Sequence, residues 1–252
     1  MKNLTIFLIC VFVVSCSQAN KQINSSEGRQ IQVDSSLEQD NSITEIITPF
    51  KAELDAKMNA VVGFAADEFN NAAAETGESA LGDFVADLLL EQTKTVYDDT
   101  LHMAVINHRG GLRTPIPKGE IKTINIYELM PFDNEMWVLE IKGEVVQQLF
   151  DNAAQRKSNC IAGAEYTITK DERAADIVIN GKPFDKHKIY RISISDYLAG
   201  GGGGHSFFKE LQPVFDPDYK CRDMILDYIK AKSAERGDTL VPKIDERVRM
   251  IK

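Results

Sequence analysis

The sequence predicts an α+β fold in which helices pack on a mixed sheet. Three observations predict this class. Segments with helical and with strand periodicity are mixed along the chain without strict alternation. Asn180-Gly181 separates two strand-like runs, as in a β-hairpin. The chain has 252 residues, of which 43% are hydrophobic and 27% charged, so it can bury a substantial core.

The first residues are typical of an export signal. Lys2 gives a positive start, and the apolar run at residues 4–14 is too short to span a bilayer. The run ends at Val13-Val14-Ser15-Cys16, which resembles the bacterial lipobox. We therefore predict a signal peptide over residues 1–15 and lipid attachment at Cys16, with an ordinary signal peptide as the alternative. This predicts a location in the cell envelope, lipid-anchored to the membrane and facing the periplasm or the surface.

The remainder divides into two parts by composition. Residues 16–41 are polar and predict a disordered tether between the lipid and the folded body. Residues 42–252 show no internal repeat and no break, which predicts one domain.

Each element follows from periodicity. Ser42-Ile43-Thr44-Glu45 matches a capping box, and apolar residues follow it at helical spacing, which predicts a first helix up to about residue 58. Apolar faces with the same spacing predict further helices at 79–95, 143–156 and 222–235. Apolar or alternating runs predict strands at 61–64, 101–106, 136–141, 164–169, 176–180, 188–195 and 246–251.

The charge balance limits the ligand class. The chain has 29 Lys and Arg against 38 Asp and Glu, and a formal net charge of -9. Net charge of this sign does not favour a nucleic-acid polymer as partner. A small anionic ligand would have to be held by local arginines and backbone amides.

The first candidate binding segment follows the strand at 101–106. Its paired glycines allow close backbone approach, and its arginines can fork onto phosphate or carboxylate oxygens. The alternative is a tight turn with solvated arginines. The segment reads Asn107, His108, Arg109, Gly110, Gly111, Leu112 and Arg113.

Two further segments place an aromatic residue among turn residues. Phe132 follows Pro131 at a corner, where it either stacks on a planar base or packs in the core. Tyr197 comes shortly before five consecutive glycines, residues 200–204. Such a run indicates backbone wrapped closely around something, a flexible lid, or a disordered loop with no ligand.

Together these segments resemble the C-terminal domain of the 5'-nucleotidase family over about residues 60–215. The matching motifs, in order, are Glu78-Ser79-Ala80-Leu81-Gly82-Asp83 with the family's E-x-x-L-G-N/D, Gly110-Gly111-Leu112-Arg113 with N-x-G-G-I-R, Leu129-Met130-Pro131-Phe132 with L-x-P-F, Lys182-Pro183-Phe184-Asp185 with G-K-P-L-D, and Tyr197-Leu198-Ala199-Gly200-Gly201-Gly202 with F-L-A-x-G-G-D.

The resemblance implies a nucleotide or nucleoside as ligand. It implies that Phe132 and Tyr197 sandwich the base and that Arg113 contacts phosphate. The full candidate binding set is Asn107, His108, Arg109, Gly110, Gly111, Arg113, Phe132, Tyr197, Gly201 and Gly202.

Three positions depart from the family pattern. His108 stands where the family has asparagine, although a one-residue shift would place Asn107 there. Gly203 stands where the family aspartate contacts ribose, and Glu75 where some members carry a phosphate-binding arginine. These departures predict weaker binding or another ligand.

No catalytic residues and no metal site are predicted in this chain. The resemblance implies that two metals belong to a separate metallophosphoesterase domain, for which the matched region leaves no room. The four histidines, at 102, 108, 187 and 205, form no ligand cluster. We therefore expect no cofactor here and divalent metals only in a partner chain.

Two functions follow from these observations. The first is the nucleotide-binding part of a split 5'-nucleotidase-like hydrolase in nucleotide catabolism. The second is a non-catalytic lipoprotein that binds a ligand or a partner. A stand-alone hydrolase is disfavoured because no nucleophile and base are paired in the sequence. Cys160 and Cys221 remain after export and are either core thiols or one disulfide.

Overall fold

The computed structural model describes residues 27–98, 100–236 and 239–251. The predicted signal peptide, Cys16 and the first part of the predicted tether lie outside these residues. No helix in the described ranges combines the length and the apolarity needed to cross a membrane.

Helices and strands are mixed along the chain. The helices are α1 Asn41–Met58, α2 Ala80–Val96, α3 His108–Gly111, α4 Thr123–Leu129, α5 Gly143–Arg156, α6 Asp196–Ala199 and α7 Cys221–Arg236. The strands are β1 Val61–Ala65, β2 Met103–Asn107, β3 Gly119–Lys122, β4 Met136–Lys142, β5 Asn159–Ala162, β6 Ala164–Ile168, β7 Ala174–Ile179, β8 Lys182–Pro183, β9 Ile189–Ser195 and β10 Val248–Met250.

The chain divides into two units, Met1–Thr48 and Pro49–Lys252. Helix α1 begins in the first unit and ends in the second, and none of its residues is buried. Its start differs from the prediction, because Asp40 rather than Ser42 caps it. The Asp40 carboxylate accepts the backbone N–H of Ser42 at 2.9 Å.

The second unit contains three sheets. The central one has the order β4-β9-β2-β5, in which β9 and β2 are parallel and the outer pairs are antiparallel. A second sheet has the order β10-β6-β7-β8, and β1 pairs with β3. The predicted mixed sheet with packed helices is therefore confirmed.

Both faces of the central sheet are covered. Along β2, Ala104 and Ile106 belong to a core that includes α2 and α7, whereas Met103 and Val105 belong to one that includes α5 and the second sheet. Alternate residues of a strand point to opposite faces, so a strand that is apolar throughout must be buried on both sides. The sheet edges and strand ends remain for ligand contact.

The longer predicted helices end within one residue of their predicted limits. The structure adds elements that the sequence did not predict, namely β3, α4, β5, β8, the single-turn helices α3 and α6, and the 3-10 turns Gly202–Gly204 and Ser206–Phe208. Cys160 and Cys221 are buried free thiols, so they are core thiols and do not form a disulfide with each other.

Candidate ligand-binding site

Three loops meet at one edge of the central sheet because of its strand directions. Val105 of β2 pairs with Ile194 of β9 in parallel, so the carboxyl ends of both strands lie at this edge. Met136 opens β4 opposite Ser195, so the loop that precedes β4 lies there too. Strand ends of this kind commonly position ligand-binding loops.

These loops enclose a cavity of about 870 Å³. This volume suits a small-molecule site, for which about 300–1,000 Å³ is typical. Six residues of the candidate set line the cavity, namely Asn107, Gly110, Gly111, Arg113, Phe132 and Tyr197. The wall also includes Ile106, Met130, Pro131, Asp133, Asn134, Ser195, Leu198, Gly203 and Cys221.

Phe132 lies on a corner that an arginine holds in place. Arg222 donates to the Phe132 carbonyl at 3.2 Å and to the Asp133 carboxylate at 2.6 Å. Its guanidinium also lies 4.3 Å from the ring centroid of Tyr127. Arg222, with help from Lys220, holds the pKa of Asp133 below its usual value. The corner is thus fixed through its backbone, while the Phe132 ring remains 37% exposed.

Tyr197 lines the same cavity and lies in helix α6, which follows β9. Its hydroxyl accepts the Gly203 N–H at 3.2 Å, and its ring remains 58% exposed. A Cβ on Gly202 would lie 2.5 Å from this ring, so only glycine fits behind it. Asn134 donates to Asp196 at 2.8 Å and thereby ties the corner to the turn that carries Tyr197.

The glycine run is an ordered turn. Gly202–Gly204 form a 3-10 helix, closed by the His205 N–H donating to the Gly202 carbonyl at 3.1 Å. Gly201 and Gly202, which the sequence predicts to contact the ligand, are not among the residues that line the cavity. Gly203 does line it, with φ at +58°, and an added Cβ would lie 3.2 Å from the Asn107 amide nitrogen. An aspartate at 203 would therefore be strained and crowded.

Asn107 ends β2 and caps the next turn. Its side-chain oxygen accepts the Gly110 N–H at 2.9 Å, which folds the predicted loop into helix α3. Within the described residues its amide nitrogen donates to no group. Arg113 donates its backbone N–H to Leu129 at 2.8 Å, and its exposed side chain has no carboxylate partner among the described residues. Both side chains therefore offer N–H donors to the cavity.

His108 is not a cavity residue, which corrects the prediction. It is fully buried, and its Nδ1 lies 2.8 Å from the Asn71 side-chain oxygen. Because its neighbour Asn107 faces the cavity at the strand end, His108 points into the core. Burial lowers its pKa, so the ring is neutral. Arg109 is exposed but does not line the cavity either.

His205 lies on the core side of the glycine turn and contacts its backbone. It is fully buried, with Nε2 3.0 Å from the Asn159 amide nitrogen and Nδ1 3.1 Å from the Gly202 carbonyl. Its ring stacks on Phe208 with centroids 5.9 Å apart. Burial lowers its pKa, which keeps Nε2 free to accept a hydrogen bond from Asn159. No local pattern in the sequence indicated this role.

The wall can bind a planar group and an anion. The Phe132 and Tyr197 rings both line the cavity and make no contact with each other within the described residues. Asp133 is the carboxylate of the wall, and Arg222 and Lys220 already pair with it. No histidine lines the cavity. Among the described residues, the wall therefore offers two exposed aromatic side chains and hydrogen-bond donors, but no metal-ligand cluster.

The comparison with known sequences decides the family. The sequence profile described as "5'-nucleotidase, C-terminal domain" matches residues 61–210, which is more than half of the chain. The chain belongs to the 5'-nucleotidase C-terminal domain family. The resemblance predicted from the motifs is thereby confirmed.

Two curated relatives illustrate the match. The chain is 25% identical over 247 residues to the trifunctional nucleotide phosphoesterase protein YfkN of Bacillus subtilis, which covers 91% of this chain and 16% of that protein. It is 25% identical over 234 residues to protein UshA of Yersinia enterocolitica, covering 88% of this chain and 41% of that protein. The chain thus spans less than half the length of these relatives.

Solved structures show the same fold. The 5'-nucleotidase precursor of Thermus thermophilus superposes with a TM-score of 0.68 at 23% identity. The superposition covers 85% of this chain and 44% of that protein. The NAD nucleotidase of Haemophilus influenzae superposes with a TM-score of 0.61 at 18% identity, covering 84% and 41%.

Proposed function

We propose that this domain binds a nucleotide or nucleoside as the substrate-binding part of a 5'-nucleotidase-like hydrolase. One observation carries the proposal. Two exposed aromatic rings and an arginine without an ion-pair partner among the described residues line a single cavity, at Phe132, Tyr197 and Arg113.

The chemistry of these groups fits a nucleotide. Stacking of a base on an aromatic side chain contributes about 1–3 kcal/mol and tolerates any base. The Arg113 guanidinium suits a phosphate, because its N–H groups match two phosphate oxygens. The names of the relatives, a nucleotide phosphoesterase and a 5'-nucleotidase precursor, support the same ligand class.

Hydrolysis is proposed to need a metallophosphoesterase domain on a partner chain. That partner would supply the divalent metals and the activated water. We further propose that lipid attachment at Cys16 keeps the domain at the cell envelope, where it acts in nucleotide catabolism.

Calorimetry of the purified chain with AMP, UMP and UDP-glucose tests the binding proposal. We expect heat for at least one of these ligands and loss of that heat in Phe132→Ala. Phe64→Ala is the matched control, because Phe64 is also an exposed aromatic residue but lies outside this cavity. Equal effects of both substitutions, or no heat with any ligand, would remove the proposal.

A second function is favoured by Gly203. The resemblance calls for a ribose-binding aspartate there, and the turn geometry at this residue disfavours any side chain. This supports a non-catalytic module that binds a nucleobase weakly or binds a partner protein. Phosphate release from AMP after addition of a co-purified metallophosphoesterase separates the two functions: release faster than with the metallophosphoesterase alone favours the hydrolase.

A further inference from the structure

A cluster of carboxylates lies away from the cavity, where helix α2 begins beside the segment that leads into β10. Glu78 precedes α2, Asp83 lies in its first turn, and Asp245 precedes β10. One oxygen from each of the three lies within 4.8 Å of the other two. Glu78 and Asp83 are 3% and 2% exposed, whereas Asp245 is exposed.

Three oxygens of this cluster are buried and accept no hydrogen bond of normal geometry, although the Cys160 thiol lies beside Asp83 and the backbone N–H groups of Arg247 and Val248 lie beside Glu78. They are both carboxylate oxygens of Asp83 and Oε1 of Glu78. An ionised carboxylate that is buried without a partner costs several kcal/mol, and folded proteins offset this cost by pairing it or by coordinating a cation. The unpartnered oxygens therefore point to a missing positive charge between them.

The nearest guanidinium is already occupied. Arg247 pairs with Asp87 at 2.8 Å and with Asp245 at 2.7 Å. Among the described residues, Arg247 is thus the one guanidinium beside four carboxylates: its partners Asp87 and Asp245, and the unpaired Glu78 and Asp83. Burial raises the pKa of Glu78, and it raises that of Asp83 to about 7 even though the charge of Arg247 acts against the rise.

We propose that Glu78, Asp83 and Asp245 bind one divalent cation of the size of Ca²⁺. The ligand set consists of hard oxygens, which Ca²⁺ and Mg²⁺ prefer. Mg²⁺ keeps several of its waters and is usually held by one or two carboxylates, whereas Ca²⁺ takes six to eight oxygen ligands in a flexible geometry, so three protein carboxylates favour Ca²⁺.

Asp245 would connect the cation to solvent and would keep its ion pair with Arg247. Asp245 lines a second cavity of about 540 Å³ together with Asp87 and Arg247, which gives room for water ligands. A carboxylate oxygen has two lone pairs, so Asp245 can keep its bonds to Arg247 while it contacts the ion. The bound cation would tie the C-terminal strand segment to the start of α2, independently of any nucleotide.

The site is tested with the purified full chain after treatment with a chelator. We expect Ca²⁺ to raise the melting temperature with one calorimetric site per chain, and Mg²⁺ at equal concentration to raise it less. Tb³⁺ should bind in place of Ca²⁺ and luminesce on tyrosine excitation. Tyr166 is the tyrosine that we expect to transfer this energy, because the charges of Glu78 and Asp83 act on its buried phenol and raise its pKa.

Matched variants identify the ligands. Asp83→Asn should weaken Ca²⁺ binding at least about tenfold, because it removes an anionic ligand but keeps the shape. Folding should persist, since the family motif accepts asparagine at this position. Asp87→Asn removes a nearby carboxylate that pairs with Arg247 but is not a proposed ligand, so the Ca²⁺ affinity should stay within about threefold of that of the unsubstituted chain.

Three results would overturn the proposal. They are the absence of any Ca²⁺ or Tb³⁺ response at millimolar concentration, an equal response to Mg²⁺, and equal losses in Asp83→Asn and Asp87→Asn. The first would mean that protons neutralise the cluster.

Discussion

The loops that follow β2 and β9 present different side chains on their two sides, towards the cavity and towards the core. The cavity layer, defined as Asn107, Arg113, Phe132 and Tyr197, is at least partly exposed and has few internal partners. The histidine layer behind it, defined as His108, His205, Asn71 and Asn159, is joined by internal hydrogen bonds, and both histidines are fully buried.

This difference separates binding from stability. A side chain without internal partners contributes little to folding, so its conformation is available for a ligand. A buried ring that bonds to an asparagine fixes the loop shape on which the exposed groups depend. We therefore expect substitutions in the cavity layer to change affinity, and substitutions in the histidine layer to change the free energy of unfolding.

The largest effect is expected from the double substitution Phe132→Ala with Tyr197→Ala. Loss of two stacking surfaces should weaken nucleotide binding by about 4 kcal/mol, or nearly a thousandfold. The free energy of unfolding should change by less than about 0.5 kcal/mol, because both rings are exposed. Calorimetry and urea denaturation measure the two quantities. A large loss of stability with unchanged affinity would reverse the assignment of the two layers.

His205→Ala is expected to have the next largest effect, on stability. It removes a buried ring that stacks on Phe208 and the nearer of the two partners of the Asn159 amide nitrogen, which should cost about 3 kcal/mol. Urea denaturation measures the loss. If stability is unchanged, the glycine turn does not depend on this histidine.

Arg113→Ala should lower affinity for AMP by roughly tenfold and leave adenosine unaffected. The reason is that the guanidinium is proposed to contact the phosphate, and a hydrogen bond to a charged group is worth about 1.5–3 kcal/mol. The substitution Arg109→Ala serves as the control, because that arginine is also exposed but does not line the cavity. Equal losses for AMP and adenosine would contradict the phosphate contact.

The smallest effect is a pH dependence from the histidine layer. Burial lowers the pKa of His108 and of His205, so both are neutral in the folded chain. In the unfolded chain they take up protons below about pH 6.5, so the unfolded state binds more protons there. Stability from these residues should be complete above pH 6.5 and fall as the pH drops below it. The fall should be smaller in His205→Gln, as measured by urea denaturation at pH 7.5 and 5.5.

The sequence allowed the exposed part of the site to be predicted better than the buried part. Phe132, Tyr197 and Arg113 follow from motifs at strand ends, and the strand directions bring such ends together. The sequence patterns did not indicate that the His108 side chain points into the core, because this direction depends on Asn107 capping the next turn.

Long-range contacts were also beyond the sequence patterns. Cys221 opens α7 and lines the cavity from a distant part of the chain. Asp245 approaches Asp83 only because β10 pairs with β6. Helix α1, in contrast, is predicted by local spacing alone. Its apolar residues have helical spacing, and the helix forms although Ile46 and Phe50 remain exposed.

Nuclear magnetic resonance of the two aromatic rings tests the central claim most directly. The chain would carry ¹³C-labelled phenylalanine and tyrosine, with signals assigned through Phe132→Leu and Tyr197→Leu, and would be titrated with AMP. Base stacking predicts that the signals of both rings shift together, with one shared affinity, while the Phe64 signal stays in place. Binding of AMP that leaves the Phe132 and Tyr197 signals unmoved would contradict the account.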